Sequence, residues 1–300
     1  MTVSFFLNDS SQDEYKVEPQ SFNDILTLPI ADSQSNLHIH YRMAGPLHAP
    51  AVVLIHGLGC SVEFWCHVLE DRQLVRHNLF LAMDLPGFGL SSKPRGYDYS
   101  MKSQAEAIAQ LLKNHNIRPK AIVGFSMGGP IAIHLSRLTH AEQLILVEPT
   151  ITENDLVITP TIAATPGWIL ELLKVITHIY PWYFARLLVR RRDAHSIKII
   201  NRALRRVPGW VMSKAAKELV RAAKDPATYK AFKEFPGQKA VILGQHLAED
   251  PVYNPPDDMF DHASCYVVPG AGHSVMLDNP EFFNEILMGT IERGMFSHRY

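Results

Sequence analysis

Ser126 lies in a short glycine-rich stretch whose residue types suit a nucleophile. The stretch reads Gly124-Phe-Ser-Met-Gly128 and fits the pattern G-x-S-x-G. An apolar run before it predicts a buried strand, and residues 130–135 after it predict a helix. A serine between a strand and a helix occupies a sharp, strained turn that exposes its hydroxyl for attack on a carbonyl carbon. The alternative, a glycine-rich turn without chemistry, is disfavoured by the strand and helix on either side.

His273 is the candidate general base for this serine. It follows Gly270-Ala-Gly272 in the C-terminal part of the chain. An imidazole titrates near neutral pH, so it can take a proton from a serine and return it to a leaving group. A histidine that follows the serine along the chain also fits the order serine, acid, histidine of strand–turn–helix serine enzymes. The alternative is an ordinary solvent-exposed loop histidine.

These residues lie within a regular alternation of strands and helices. Six short runs are apolar at nearly every position, which is typical of strands that a sheet buries on both faces. The runs are residues 51–55, 79–83, 121–124, 144–147, 240–243 and 265–268. Helix-like stretches such as 103–114 and 130–138 separate them, and residues 25–45 predict a preceding hairpin. The pattern predicts an α/β fold with a mostly parallel central sheet flanked by helices.

The alternation stops between about residues 150 and 235, where the chain is aromatic and helix-prone. We therefore expect a helical cap over residues 151–235. It is inserted into a core made of residues 25–150 and 236–300, after an N-terminal arm of residues 1–24. Apolar cap residues either line an acyl pocket or form the core of the cap. They include Trp168, Ile169, Leu172 and Trp182.

Four segments together resemble the α/β-hydrolase superfamily, in its capped serine esterase/lipase-like branch. They are His56-Gly-Leu-Gly59, residues 84–92 (Asp-Leu-Pro-Gly-Phe-Gly-Leu-Ser-Ser), residues 124–128 and residues 270–273. They occur in the family's order, and the resemblance spans about residues 35 to 295. It implies the α/β-hydrolase fold with an inserted helical cap.

The resemblance also assigns roles to single residues. It implies an oxyanion hole formed by the backbone N–H groups of Leu58 and Met127, which would stabilise a tetrahedral intermediate. His56 is then expected to orient its loop rather than to catalyse. Asp84 is expected to be structural, in a turn whose glycines permit a tight backbone.

The acid that orients His273 is the least defined member of the triad. In the family it stands about three residues after a glycine that ends the penultimate strand, here Gly244. Leu247 occupies that position and cannot orient an imidazole. We favour Glu148, because a carboxylate at the carboxyl end of a central strand points towards the ligand crevice. Asp250 and then Glu249 are the alternatives, from a longer loop after Gly244.

The predicted activity is hydrolysis of carboxylic esters through an acyl-enzyme, with Ser126, His273 and Glu148 as the triad. Because a fold does not fix its substrate, thioesters, carrier-protein-linked acyl esters, amides and carbon–carbon bonds are alternatives. A ligand-binding receptor or a lyase on the same scaffold is a remoter alternative. Halide removal is disfavoured, since relatives with that chemistry have a carboxylate nucleophile in place of the serine.

The composition is that of an ordinary soluble globular protein. The 300 residues carry a net charge of -1 and are 47% hydrophobic, which does not favour a nucleic-acid partner. We expect no cofactor and no metal, because no His, Cys or Asp cluster has ligand spacing along the sequence. The N-terminus lacks a signal-peptide pattern and no stretch has the apolar length of a membrane span, so a cytoplasmic location is expected. Three cysteines, Cys60, Cys66 and Cys265, argue against a disulfide framework.

Cations are concentrated in one part of the predicted cap. Residues 181–230 hold thirteen of the 29 lysines and arginines but only three acids. One interpretation is a docking face for an anionic partner, such as an acyl-carrier protein, a coenzyme A thioester or a membrane surface. The favoured alternative is a solvated outer face of cap helices whose charge is balanced by acidic residues of the core.

Overall fold

The computed structural model of the chain describes residues 21–29, 36–179, 190, 193–250, 258–259, 261 and 263–296. The backbone of these residues forms eight strands. They are β1 (Ser21–Pro29), β2 (Asn36–Ala44), β3 (Ala51–Ile55), β4 (Leu79–Met83), β5 (Pro119–Phe125), β6 (Gln143–Val147), β7 (Gln238–Gly244) and β8 (Ser264–Val268). Each of the six predicted runs lies in one of the strands β3 to β8, so the strand positions are confirmed. Burial on both faces was wrong for the run 265–268, because Cys265 and Val267 of β8 are exposed.

All eight strands form one sheet in the order β1-β2-β4-β3-β5-β6-β7-β8. β2 pairs antiparallel with β1 and with β4, and all other neighbouring strands are parallel. The predicted mostly parallel sheet is thus confirmed. Because parallel strands end at the same edge of a sheet, the segments that follow β3, β5, β6, β7 and β8 meet at one edge.

Twelve α-helices lie within the described residues. They are α1 (Cys66–Leu69), α2 (Arg72–His77), α3 (Met101–Asn114), α4 (Gly128–Thr139), α5 (Thr159–Ala164), α6 (Gly167–Ile179), α7 (Ala194–Arg206), α8 (Gly209–Lys224), α9 (Pro226–Lys233), α10 (Gln245–Ala248), α11 (Val275–Asp278) and α12 (Pro280–Phe296). Short 3₁₀ turns occupy Val62–Trp65 and Glu153–Asp155.

Helices cover both faces of the sheet, which explains why β3 is buried at every position. Val53 lies in the apolar layer on one face, together with Leu111 of α3. Val52 lies in the layer on the other face, together with Phe283 of α12. Successive strand residues point to opposite faces, so a strand between two such layers must be apolar throughout.

Local sequence explains where α3 begins and which face it buries. The hydroxyl of Ser100 accepts a hydrogen bond from the backbone N–H of Ser103 (3.1 Å), which caps the first turn. Ile108, Leu111 and Leu112 then recur at helical spacing and are buried against the sheet.

Helices α5 to α9 lie between β6 and β7, within the predicted cap segment, residues 151–235. The described part of this segment holds no strand. Trp168 and Leu172 on α6 are 70% and 59% exposed, so neither belongs to a buried cap core. Trp182 lies outside the described residues. Ile169 is half-buried.

The N-terminal hairpin begins earlier than the sequence predicted. β1 pairs with β2 from Ser21 opposite Ala44 to Pro29 opposite Asn36. Residues 21–24 of the predicted arm therefore belong to the sheet, whereas residues 1–20 lie outside the described part. Among the described helices, none combines the length and the apolar character needed to cross a bilayer.

Candidate active site

Ser126 lies at a sharp turn between β5 and α4. Its φ is +52°, in the left-handed region that residues with a side chain seldom adopt. Gly124 makes the turn possible, because a Cβ there would lie 2.3 Å from the carbonyl oxygen of Gly128. The Ser126 N–H donates to the carbonyl oxygen of Val147 (2.9 Å) and ties the turn to the end of β6. Backbone strain of this kind costs about 1–3 kcal/mol and concentrates at functional sites.

The loop of residues 56–59, which follows β3, packs directly against this turn. A Cβ on Gly57 would lie 3.0 Å from the Cβ of Ser126. On the other side, a Cβ on Gly128 would lie 2.5 Å from the carbonyl oxygen of Ile55. Glycine at both positions therefore lets the two backbone segments approach each other closely.

Leu58 and Met127 stand in these two adjoining segments, as the proposed oxyanion hole requires. Met127 is buried at the start of α4, and Leu58 is partly buried. Neither backbone N–H donates to an acceptor within the part of the chain that the structure describes. Two amides without such acceptors, on either side of a serine, suit an oxygen that becomes negatively charged during reaction.

His56 is fully buried, and both of its ring nitrogens are engaged. Nδ1 donates to the carbonyl oxygen of Gly57 (2.8 Å), and Nε2 accepts the N–H of Leu85 (3.0 Å). Burial lowers the pKa of His56, which favours the neutral ring that these two contacts require. This bonding links the 56–59 loop to the segment after β4, and it agrees with an orienting role for His56.

His273 and Glu148 are in direct contact. The Nδ1 of His273 lies 3.0 Å from the Oε2 of Glu148. The His273 side chain is 37% exposed and that of Glu148 is 1% exposed. The imidazole also lies beside the ring of Phe125, the residue that precedes Ser126, with 5.0 Å between the ring centroids. A buried carboxylate at one end of a half-exposed imidazole can fix its tautomer and stabilise its protonated form.

The backbone around Glu148 directs its carboxylate towards this contact. Its φ is +46°, so the chain turns sharply at the end of β6. Its Oε1 accepts the N–H of Gly244 (2.5 Å), the last residue of β7. Burial raises the pKa of Glu148, while the hydrogen bonds from His273 and Gly244 oppose that rise.

The two alternative acids lie elsewhere. Glu249 is exposed and accepts a hydrogen bond from the side-chain amide of Gln245 (2.8 Å). Asp250 is exposed after the short helix α10. Leu247, which holds the family's usual acid position, is partly buried and packs against the apolar core.

Asp84 holds a turn together rather than reaching the serine. Its Oδ1 accepts the N–H of Val62 (2.7 Å), and its Oδ2 accepts the N–H of Leu90 (2.8 Å). The Nδ1 of His40 lies 2.7 Å from the same Oδ2. Burial alone would raise the pKa of Asp84, but these hydrogen bonds hold it below its usual range. The carboxylate is therefore committed to structure, in agreement with the sequence expectation.

Asp278 and Arg190 border the loop that carries His273, and neither is part of a recognisable sequence motif. Asp278 accepts the N–H of Gly272 through Oδ2 (2.8 Å). Its Oδ1 accepts the backbone N–H of Arg190 from the cap segment (2.6 Å). The Arg190 side chain lies so close that a Cβ on Gly272 would be 3.0 Å from its Cγ. The cap segment thus touches the loop that carries His273.

The cap segment also covers the 56–59 loop. A Cβ on Gly59 would lie 2.9 Å from the Cε of Met212 on α8 and 3.1 Å from a methyl carbon of Leu204 on α7. Residues of the cap segment therefore contact both the 56–59 loop and the loop that carries His273.

Most of the chain matches the sequence model of one protein family. The model of the Alpha/beta hydrolase family matches residues 52–286, which is most of the chain. The chain is an α/β-hydrolase. Of the motifs that suggested this from the sequence, the 56–59 loop packs against the turn that carries Ser126, and His273 lies beside the neighbouring Phe125.

Relatives of this α/β-hydrolase include enzymes of more than one kind. It is 34% identical over 100 residues to a pimeloyl-[acyl-carrier protein] methyl ester esterase of Pseudoalteromonas atlantica, covering 33% of this chain and 36% of the relative. It is 26% identical over 269 residues to the 2-hydroxy-6-oxo-6-(2'-aminophenyl)hexa-2,4-dienoic acid hydrolase of Metapseudomonas resinovorans, covering 81% and 84% of the two chains. The chain spans about a third of the length of the curated relatives that it matches at 31–34% identity.

The solved structure of a thermophilic esterase from Thermogutta terrifontis is also similar. Its TM-score is 0.69 at 18% identity, with coverage of 90% of this chain and 99% of the other. At this identity the likeness shows the α/β-hydrolase fold, which is therefore confirmed.

The described residues of the α/β-hydrolase contain one group of side chains that could hold a metal ion. It consists of Cys66, His67 and His195 and does not include Ser126, His273 or Glu148. Both Cys60 and Cys66 are buried free thiols.

Proposed function

We propose that this α/β-hydrolase cleaves carboxylic esters with Ser126, His273 and Glu148 as its catalytic triad. The observation that carries the proposal is the 3.0 Å contact between His273 and the buried Glu148, beside a serine on a strained turn. With Nδ1–H donated to Glu148, the lone pair of Nε2 is left to accept the serine proton.

The reaction follows from these positions. Ser126 Oγ attacks the ester carbonyl carbon while His273 takes its proton, and the carbonyl oxygen becomes an oxyanion. The N–H groups of Leu58 and Met127 stabilise that charge; one such donor is worth about 10²–10³ in rate. The intermediate collapses as protonated His273 gives the proton to the leaving alcohol. Water, activated by the same imidazole, then releases the acid from Ser126.

Residues 151–235 are proposed to act as a cap over this site. Two sets of contacts support this role. Met212 and Leu204 lie against the loop at Gly59, and Arg190 lies against Gly272. Such a segment would exclude water from the acyl group and shape the pocket. A cytoplasmic location is proposed as well, supported by three free thiols, which suit a reducing compartment.

Fluorophosphonate labelling combined with p-nitrophenyl esters of graded chain length tests the proposal. The wild type should be labelled once and should hydrolyse at least one ester. Ser126→Ala should lose labelling and about 10⁶-fold in kcat, because it removes the nucleophile. Ser264→Ala, at an exposed position on β8, should behave as wild type. Labelling that persists in Ser126→Ala, or a folded wild type that takes no label, contradicts the proposal.

Carbon–carbon bond hydrolysis is a second candidate reaction. It is favoured by the relative from Metapseudomonas resinovorans, whose alignment covers 84% of that protein. The discriminating assay compares a vinylogous 1,5-diketone dienoate with p-nitrophenyl esters. A kcat/KM for the diketone that exceeds the value for every ester would replace the ester proposal.

A carrier-protein-linked acyl ester or thioester is a third candidate substrate, favoured by the relative from Pseudoalteromonas atlantica, an esterase of pimeloyl-[acyl-carrier protein] methyl ester. Several cap cations are already paired with carboxylates. The pairs are Arg202 and Arg206 with Glu63, Arg221 with Glu218, Lys224 with Glu153, Lys230 with Glu234, and Lys233 with Asp258. This pairing favours a solvated, balanced face.

Three exposed cations of the cap segment form no ion pair with a carboxylate of the described residues: Lys198, Arg205 and Lys217. They are the candidates for docking an acyl-carrier protein. Docking predicts that added salt lowers kcat/KM for a carrier-bound acyl ester much more than for a small ester. Arg205→Ala should reproduce that selective loss at low salt. An equal response of the two substrates to salt removes the docking proposal.

A further inference from the structure

Three metal-binding side chains meet between the core and the cap segment. Cys66 and His67 are neighbours at the start of α1, and His195 lies in the first turn of α7. The Sγ of Cys66 is 3.8 Å from the Nε2 of His195. The centroids of the His67 and His195 rings are 5.7 Å apart. One ligand atom from each of the three lies within 4.8 Å of the others.

We propose that Cys66, His67 and His195 form a binding site for a zinc ion. Zn–S and Zn–N bonds of about 2.3 and 2.0 Å place a sulfur and a nitrogen ligand of a tetrahedral site about 3.5 Å apart, and two nitrogen ligands about 3.3 Å apart. The ligand atoms all lie within 4.8 Å of one another, so each pair needs to close by about 1.5 Å at most, which side-chain rotations can supply. The 3.8 Å between the Sγ of Cys66 and the Nε2 of His195 exceeds the sulfur–nitrogen value by only about 0.3 Å.

The ligand types select the class of ion. A thiolate and two imidazoles suit Zn²⁺, whereas Mg²⁺ and Ca²⁺ prefer oxygen ligands. Three protein ligands leave the fourth tetrahedral position to water. Cys66 is buried and His195 is exposed, so the ion enters from the side of α7. Binding releases the thiol proton of Cys66 to solvent, while each histidine contributes a neutral nitrogen lone pair.

The site joins two parts of the chain that are far apart in sequence, which is why linear spacing suggested no metal site. An ion there would tie α7 of the cap segment to α1 of the core. α7 also carries Leu204, next to Gly59, and Arg202 and Arg206, which pair with Glu63. A zinc ion would therefore restrain the helix that covers the 56–59 loop.

Titration of the full chain with CoCl₂ and ZnCl₂ tests the site without any substrate. The wild type should bind one equivalent of Co²⁺ with a thiolate-to-cobalt charge-transfer band, and Zn²⁺ should displace it. Cys66→Ser should lose the band, and His195→Ala should weaken Zn²⁺ binding by at least about 10-fold, because it removes a direct ligand. His195 is exposed, so its replacement should leave the fold intact.

Matched controls use a thiol and a histidine outside the cluster. Cys265→Ser and His48→Ala, both at exposed positions, should bind both ions as the wild type does. Zn²⁺ should raise the Tm of the wild type and of both controls but not that of His195→Ala. The ion stabilises the folded chain only where the complete site is there to bind it. A wild type without the charge-transfer band, or undiminished Zn²⁺ affinity in His195→Ala, overturns the proposal.

Discussion

The candidate catalytic residues and the cap segment are held in place by different forces. Ser126 and Glu148 follow adjacent parallel strands, have φ values of +52° and +46°, and are 8% and 2% exposed. The cap segment instead meets the core through side chains. They include buried apolar residues such as Val211 and Leu219, and partly exposed ion pairs such as that of Arg202 with Glu63. Exposed pairs each contribute little to stability. The candidate catalytic residues are thus positioned by the backbone at the ends of β5 and β6, whereas the cap segment is positioned by contacts between side chains.

Gly57→Ala tests how strongly catalysis depends on the backbone next to Ser126. The new methyl group would lie 3.0 Å from the Cβ of Ser126 and 3.2 Å from the Phe125 ring, so the 56–59 loop must shift. Displacing the Leu58 N–H should lower kcat for p-nitrophenyl esters by about 10²-fold.

Gly96→Ala is the matched control, because a Cβ there meets no atom within 4 Å. Its kcat should equal that of the wild type. Wild-type kcat in Gly57→Ala would mean that the close approach of the loop to the serine turn does not matter for catalysis.

Glu148→Gln should increase stability at pH 7 even though it damages activity. Burial raises the folded-state pKa of Glu148 above its ordinary value of 4.5. The folded chain then binds more protons than the unfolded chain between these two pKa values, so the free energy of unfolding falls as pH rises through that window. Above the folded-state pKa, the full cost of burying the ionised carboxylate lowers the free energy of unfolding. Below pH 4.5 the carboxyl group is protonated in both states and this cost disappears.

Urea unfolding at pH 7 and at pH 4 measures this effect. Glu148→Gln should be more stable than the wild type at pH 7, and the difference should vanish at pH 4. Glu249→Gln, at an exposed position, should show no such pH-dependent gain. A Glu148→Gln variant less stable than the wild type at pH 7 would contradict a net cost of burying this carboxylate.

Glu63→Gln should have the smallest effect, on the cap side of the comparison. Oε1 of Glu63 lies 3.0 Å from Arg202 and 3.3 Å from Arg206, whose side chains are 43% and 32% exposed. Losing both pairs should lower the free energy of unfolding by about 0.5–1 kcal/mol at low salt and by less at high salt. A loss of several kcal/mol, independent of salt, would show that the cap is held as firmly as the core.

Strands β3 to β7 were predictable from sequence because burial on both faces demands apolar residues at every position, whereas β8 is apolar although most of it is exposed. Ser126 and His273 were predictable because each stands in a glycine-rich segment after an apolar strand. The sequence favoured Glu148 as the acid for His273 but left Asp250 and Glu249 as alternatives, because the contact depends on the pairing of β6 with β7, where Val147 lies opposite Ile242. That register places Glu148 beside Gly244, and no local pattern encodes it.

Predictions for the cap segment were weaker for a physical reason. Helical periodicity shows that a face is apolar but not what covers it, so Trp168 is exposed although its residue type suits a core. The meeting of Cys66 with His195 likewise depends on how α7 packs against the core. Contacts between elements distant in sequence are set by tertiary packing, which spacing along the chain does not report.

The central claim, that Glu148 is the acid that orients His273, is tested most directly by the kcat/KM of three single variants. Glu148→Gln should lower kcat/KM for the best ester substrate by up to about 10⁴-fold, because the imidazole loses the charge that fixes its tautomer and stabilises its protonated form. Asp250→Asn and Glu249→Gln should stay within a few-fold of the wild type. Near-full activity in Glu148→Gln, with a loss of orders of magnitude in Asp250→Asn, would contradict this assignment.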